Sequence, residues 1–179
     1  NYVLGNSSGS TTANIAARTL DVRFDGVSKI YDGKTGADVS FGDNRIEGDV
    51  LTLAGTAAFG DKNAGNGKTV TVSNVGVSGT DAGNYVLGNS SGSTTANIAA
   101  RALTVSGVAD SKIYDGATGA TVRFGDDRIA GDMLNVSAAA SFADKNVGMA
   151  KAVTLSGVAL EGQDAGNYFI VLPTGLLAS

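Results

Sequence analysis

The chain has 179 residues and a net charge of −4, with 17 acidic side chains against 13 basic ones, so it lacks the basic face that nucleic acid or an anionic membrane selects. It contains no Cys and no His, which removes disulfides, thiol nucleophiles, Ser-His-Asp catalysis and imidazole metal sites together. Its 26 Gly, single Pro and absence of Trp suit short strands joined by tight turns around a Val, Leu, Ile and Ala core, and no apolar run approaches a membrane span or signal peptide.

The first eighteen residues, Asn1–Arg18 (NYVLGNSSGSTTANIAAR), return unchanged at Asn84–Arg101, an offset of 83 residues from position 1 to position 84. What lies between echoes at the same offset: Lys29–Gly33 as Lys112–Gly116, Phe41-Gly42-Asp43 as Phe124-Gly125-Asp126, and Asp81–Tyr85 as Asp164–Tyr168. A period this long exceeds that of solenoid repeats and fits a small domain able to bury roughly 60% of its unfolded surface. Residues 1–18 therefore read as the remnant of a preceding repeat, 19–101 as a first repeat domain and 102–179 as a second, with 93/94 as the alternative boundary. The chain starts within a repeat and reads as a piece of a longer array. Asn97–Arg101 runs straight into Ala102–Val105, and a junction that short favours a rod over beads on a string.

In chain order, Thr19–Phe24 places Leu20, Val22 and Phe24 on one face at period two, the mark of a half-buried strand. Lys29–Gly33 reads as a short strand ending in an Asp-Gly turn, followed by Val39–Phe41 and turns at Gly42-Asp43 and Gly48-Asp49. Val50–Phe59 is the next strand. Leu51 and Leu53 stay apolar in the second copy (Leu134 and Val136) and so face the core, as do Val70 and Val72 (Val153 and Leu155) on the strand after it. Asn66-Gly67 carries a hairpin signal, but its counterpart Met149-Ala150 does not, so the shared Gly65 and Gly148 are expected to take the positive φ. Val75–Val77 and Tyr85–Leu87 complete six or seven strands per unit. The fold class is all-β, small tandem immunoglobulin-like sandwiches in an elongated rod, with β-grasp-like units as the alternative.

Two motifs stand out. Asp81–Tyr85 and Asp164–Tyr168 (Asp-Ala-Gly-Asn-Tyr) have the spacing of a tyrosine corner, in which Asp81, Gly83, Tyr85, Asp164, Gly166 and Tyr168 are structural and each hydroxyl bonds back to nearby backbone. Tyr31-Asp32-Gly33 and Tyr114-Asp115-Gly116 read as a strand-end aromatic followed by a turn, or else as an aromatic platform beside a carboxylate that holds a sugar. Among the carboxylates present in both copies, Asp32, Asp43, Asp49, Asp115, Asp126 and Asp132 are the calcium candidates by hard-oxygen chemistry, although no EF-hand loop is present and turns alone account for them. No other cofactor is called for, and no catalytic residue is assigned. Facing carboxylates would be needed for a glycosidase. Lys29 and Asn84, like Lys112 and Asn167, are candidates for an intramolecular isopeptide.

Lys-Ile-Tyr-Asp-Gly, then Phe-x-Asp-Lys-Asn-x-Gly, then Asp-Ala-Gly-Asn-Tyr, in this order and twice over, resembles the YDG-type repeat of large bacterial haemagglutinin-like adhesins, whose relatives include the repeats called MBG. The matching stretches are Lys29–Gly33, Asp61–Gly65 and Asp81–Tyr85, then Lys112–Gly116, Asp144–Gly148 and Asp164–Tyr168; the departure is Val171–Ser179, where GNSSGSTTA would be expected. The resemblance implies an extracellular or cell-surface fibrous protein whose repeats form a stalk without a catalytic site. The expected partners are neighbouring repeats of the same polypeptide. Host or matrix glycans are the alternative partner, bound weakly and repeatedly. Neither nucleic acid nor membrane insertion is expected.

Overall fold

A computed structural model describes residues 1–3, 5–172 and, for the backbone, 177–178. The chain is all-β, and its helical content among these residues is two three-residue 3-10 turns, Ala82–Asn84 and Ala165–Asn167. Among the described residues no helix is long and apolar enough to cross a membrane.

The first copy supplies β1 (Arg18–Leu20), β2 (Val22–Val27), β3 (Lys29–Ile30), β4 (Asp38–Asp43), β5 (Thr52–Phe59), β6 (Gly65–Ser78), β7 (Tyr85–Leu87) and β8 (Gly92–Ala99). β1 lies parallel to β7, β2 pairs antiparallel with β4, and a four-stranded sheet runs β3-β8-β6-β5. The second copy supplies β9 (Arg101–Ala109), β10 (Val122–Asp126), β11 (Asn135–Phe142), β12 (Lys151–Glu161), β13 (Tyr168–Val171) and β14 (Leu177–Ala178). Here β9 continues through what β1 and β2 divide, pairing with β10 on one side and in parallel with β13 on the other, while β11-β12-β14 forms the second sheet. β8 bonds to β6 and β3, both of the first copy, and only Ala100 separates it from β9. β3 pairs on Ile98–Ala99, whereas its equivalent in the second copy, Lys112-Ile113, forms no strand.

The apolar pattern explains these elements. Leu20 and Val22 are buried, as are Leu103 and Val105 of β9. The expected face of the third long strand holds, with Leu51, Leu134 and Val136 buried and Val50 and Met133 exposed, although β5 begins at Thr52 rather than Val50. Val70–Val72 and Val75–Val77, read separately from sequence, are one fourteen-residue strand. A bulge at Asn74 (φ 54), matched by Gly157 (φ 60), inserts the extra residue that returns Val75 to the face of Val70 and Val72.

A second bulge corrects an expectation. The positive φ near the start of β6 falls at Gly67 (φ 60) and, in the second copy, at Ala150 (φ 50), not at Gly65 and Gly148. No hairpin forms there. The register with β8 slips between Gly65 and Lys68, and Asn97 Oδ1 accepts a 2.7 Å hydrogen bond from Gly67 N.

Two apolar clusters form the core. One lies inside the first copy: Leu20, Val22, Leu51, Val72, Val75 and Tyr85. The other joins the copies, packing Tyr31, Phe59, Val70 and Ile98 with Leu103, Val105, Leu134, Val136 and Tyr168. By contrast, the described residues before Arg18 are all exposed: Ile15 is 100% exposed where its identical counterpart Ile98 is 1% exposed.

Candidate functional site

Among the described residues, three polar side chains are buried: Asp132, Asp164 and Asn167. All belong to the second copy and all face the first. A buried carboxylate must be paired or it shifts its own equilibrium toward neutrality, so their partners define the site.

Tyr31 comes first. Its backbone N–H donates to Ala99 O (2.8 Å), extending the parallel pairing of β3 with β8 and aiming the ring across the junction. The side chain is 1% exposed, stands edge-to-face to Tyr168 (centroids 5.4 Å apart, 76° between planes), and donates its hydroxyl to Asp132 Oδ2 at 2.9 Å. Asp32 points back into its own turn, where Oδ1 accepts from Lys34 N (2.9 Å) and Lys29 Nζ (2.8 Å). Gly33 sits at φ 74, and a Cβ there would lie 3.2 Å from Ile129 Cγ2 of the second copy. The three residues of Tyr-Asp-Gly thus divide the contact between them, the ring filling the junction, the carboxylate shaping the turn and the glycine allowing close approach.

The Asp61-Lys62-Asn63 loop supplies the other half. Asp61 shapes it, accepting from Asn63 N at 2.8 Å and Lys68 Nζ at 2.5 Å. Lys62 then reaches over the junction, 2.8 Å from Asp132 Oδ1 and 2.9 Å from Asp164 Oδ1, with its ammonium 5.8 Å from the Tyr31 ring centroid. Ala64 N donates to Asn167 Oδ1 (2.8 Å), and Asn167 Nδ2 donates to Asn63 Oδ1 (3.3 Å).

On the receiving side, Asp-Ala-Gly-Asn-Tyr ties distant segments together. The Tyr168 hydroxyl donates to Asp132 Oδ2 (2.6 Å) and accepts from Ile129 N (2.9 Å), while Asp164 Oδ2 accepts from Met133 N (2.9 Å). In the first copy Tyr85 donates to Asp49 (2.5 Å), Ile46 N donates to the Tyr85 hydroxyl (2.9 Å) and Val50 N donates to Asp81 (2.8 Å). These bonds span 31 to 39 residues, so the hydroxyl reaches a remote loop and not the nearby backbone of a tyrosine corner. Gly83 and Gly166 occupy the 3-10 turns with open space around a hypothetical Cβ, and nothing in the structure explains them.

The charges are coupled. Burial opposes ionisation of Asp132, but hydrogen bonds from Lys62, Tyr168 and Tyr31 outweigh it and hold the carboxyl below the usual range. Asp164 is lowered by the Met133 N–H and then by Lys62, and Lys62 is raised by Asp132, Asp164 and Tyr31 in turn. Burial, reinforced by Asp132, pushes Tyr168 up to about 12 and raises Tyr31. A carboxyl lowered in the fold contributes stability that is complete above its unfolded value of 3.8 and disappears as pH falls through the lower folded value. The raised tyrosines contribute stability that is complete below 10.0 and lost as pH rises through their folded values, about 12 for Tyr168. Denaturant titrations from pH 7 are therefore expected to show stability falling below about pH 4 and again above about pH 10, with a shallower acid slope in Asp132→Asn.

The remaining candidates lie apart. Asp43 and Asp126 pair with Arg45 and Arg128, whose guanidinium groups also donate to Leu51 O and Leu134 O, so each bracket pins the chain entering its third long strand. Asp115 pairs with Lys112 as Asp32 does with Lys29, and Asp49 holds Tyr85. These calcium candidates are dispersed: no group of three or more metal-capable side chains comes together among the described residues. The isopeptide pairing does not assemble either. Lys29 Nζ is bonded to Asp32, Lys34 O and Gly36 O, Lys112 Nζ to Asp115 and Ala117 O, and Asn167 to the Asn63-Ala64 loop. The sequence places Lys62 and Asn63 in a repeated motif without assigning them a role, and the arginine brackets go unmarked in it. Their repetition as Lys145, Asn146 and Arg128 was the available signal.

Against known proteins, a family model described as the YDG domain matches the chain twice, over residues 16–96 and 99–175. No curated protein and no solved structure matches.

Proposed function

The chain belongs to the YDG domain family, in two tandem copies, and on that premise we propose that it is a structural spacer of a bacterial surface or secreted adhesin, projecting a distal binding region. The observation that carries this reading is where the repeated motifs are used. Tyr31, Gly33, Lys62 and Asn63 of one copy and Asp132, Asp164, Asn167 and Tyr168 of the next spend their chemistry on each other. A repeat whose retained residues fix the angle to its neighbour, across a one-residue connection, suits a stalk. The partners of each copy are then its neighbours, and the site of action is outside the cell.

The glycan alternative needs a bare aromatic in every copy for avidity to multiply. Tyr31 is covered by the second copy, so the aromatic is not bare in every copy, whereas Tyr114 is exposed. Small-angle scattering should give a maximum dimension near two units end to end, unchanged by a calcium chelator. A compact particle would overturn the spacer reading, and shortening on chelation would restore the carboxylates as metal ligands.

A further inference from the structure

We propose that the outer faces of the first and second copies are complementary halves of one docking surface, and that the occupant is a second copy of the chain, seated head to tail. The proposal deepens the spacer reading and takes the internal junction as its template. Continuity with that junction, preformed geometry and charge all point to the same occupant.

The tail face lies on the second copy. Tyr114, Lys145, Asn146 and Val147 stand where Tyr31, Lys62, Asn63 and Ala64 stand in the first. Its Asp144 loop and its Gly116 turn already have the shape of their counterparts, although the strand pairing that aims Tyr31 has no equivalent at Tyr114. Asp144 Oδ1 accepts from Asn146 N (2.7 Å) and Lys151 Nζ (2.5 Å), as Asp61 does from Asn63 and Lys68, and Gly116 has φ 78 where Gly33 has φ 74. Yet Tyr114 is 57% exposed and Val147 88%, and Lys145 makes no ion pair among the described residues. Replacing Ala64 by Val147 preserves the interaction, because the group that bonds across the junction is the backbone N–H.

The head face lies on the first copy. Asp49, Asp81, Asn84 and Tyr85 stand where Asp132, Asp164, Asn167 and Tyr168 stand in the second. Its geometry is also preformed: Asp81 and Asp164 share φ −100 and ψ 4, and Tyr85 is already held by Asp49 and Ile46 N. Neither Asp49 nor Asp81 has a cationic partner among the described residues, and Asn84 is exposed. Lys145 supplies the charge these carboxylates lack. Tyr114 supplies the ring that Tyr85 lacks, and Ile46 meets Gly116 as Ile129 meets Gly33. The two faces are different surfaces on the two copies of one chain, so their pairing is heterologous and does not close on itself.

The test is the mass-average molecular weight by sedimentation equilibrium, up to about 1 mM, the range of effective concentration that a short linker supplies within one chain. The unmodified chain should climb from monomer past dimer. Lys145→Asp, which disables the tail, and Asn84→Arg, which disables the head, should each stay monomeric alone. Mixed in equal amounts, they should form a one-to-one dimer and stop, since one good head and one good tail remain. Both positions are exposed, and Asn146→Arg serves as a second tail block should Lys145→Asp lower the unfolding transition. A flat mass for the unmodified chain, or association that survives either substitution, overturns the proposal. So does a mixture that grows past dimer. None of these outcomes changes the monomer's scattering dimension at low concentration, on which the spacer reading stands or falls.

Discussion

Tyr31→Ala is expected to lower the unfolding free energy by about 3–5 kcal/mol, whereas Tyr114→Ala, at the equivalent position one repeat later, should change it by less than about 0.5 kcal/mol. The two residues share their sequence context, and only their surroundings differ. Tyr31 loses a fully buried ring from the cluster joining the copies, together with its edge-on contact to Tyr168 and a hydrogen bond to a carboxylate. Tyr114 has over half its surface in water already. Tyr31→Phe separates the contributions, retaining the packing and removing a charge-assisted bond of about 1.5–3 kcal/mol. Urea titrations of the three variants measure this directly. Equal effects at Tyr31 and Tyr114 would mean that the junction adds nothing to the stability of either copy.

Asp132→Ala should be comparably severe, about 3–5 kcal/mol, because it strips the acceptor from three donors at once. Lys62, Tyr31 and Tyr168 all converge on this carboxylate, and Lys62 would retain only Asp164. Asp49→Ala removes the acceptor of one hydroxyl, Tyr85, in a partly exposed setting, and should fall nearer 1 kcal/mol. The asymmetry is the informative quantity. Two positions one repeat apart differ because only one has a neighbour seated on it. Thermal unfolding would add a second observable: with Asp132 replaced, the single transition of two joined copies should resolve toward two.

The period, the order of motifs and the core face of the long strands were legible because two divergent copies act as each other's control. Leu51 and Leu53 stayed apolar where Val50 and Thr52 did not, and that comparison alone separates the faces. The junction was not legible for a related reason. Comparing copies aligns Tyr31 with Tyr114, whereas its physical partner Asp132 lies 101 residues away in another motif of another copy. The same logic misplaced the positive φ. The shared glycines are the natural holders by local preference, but the positive φ lies two residues later, at Gly67, whose N–H donates to Asn97 Oδ1, and in the second copy an alanine adopts it.

The eighteen residues that occur twice with opposite burial carry a consequence for how the protein is made. The groove beside β6 is filled by Gly92–Ala99, and the identical letters Gly9–Ala16 lie upstream. During synthesis the upstream segment emerges before β6 exists, and it is the first candidate available when β6 arrives. The correct segment wins by tether, since its loop to β6 is far shorter and closes at lower entropic cost. Every additional identical repeat would add a wrong suitor for each groove.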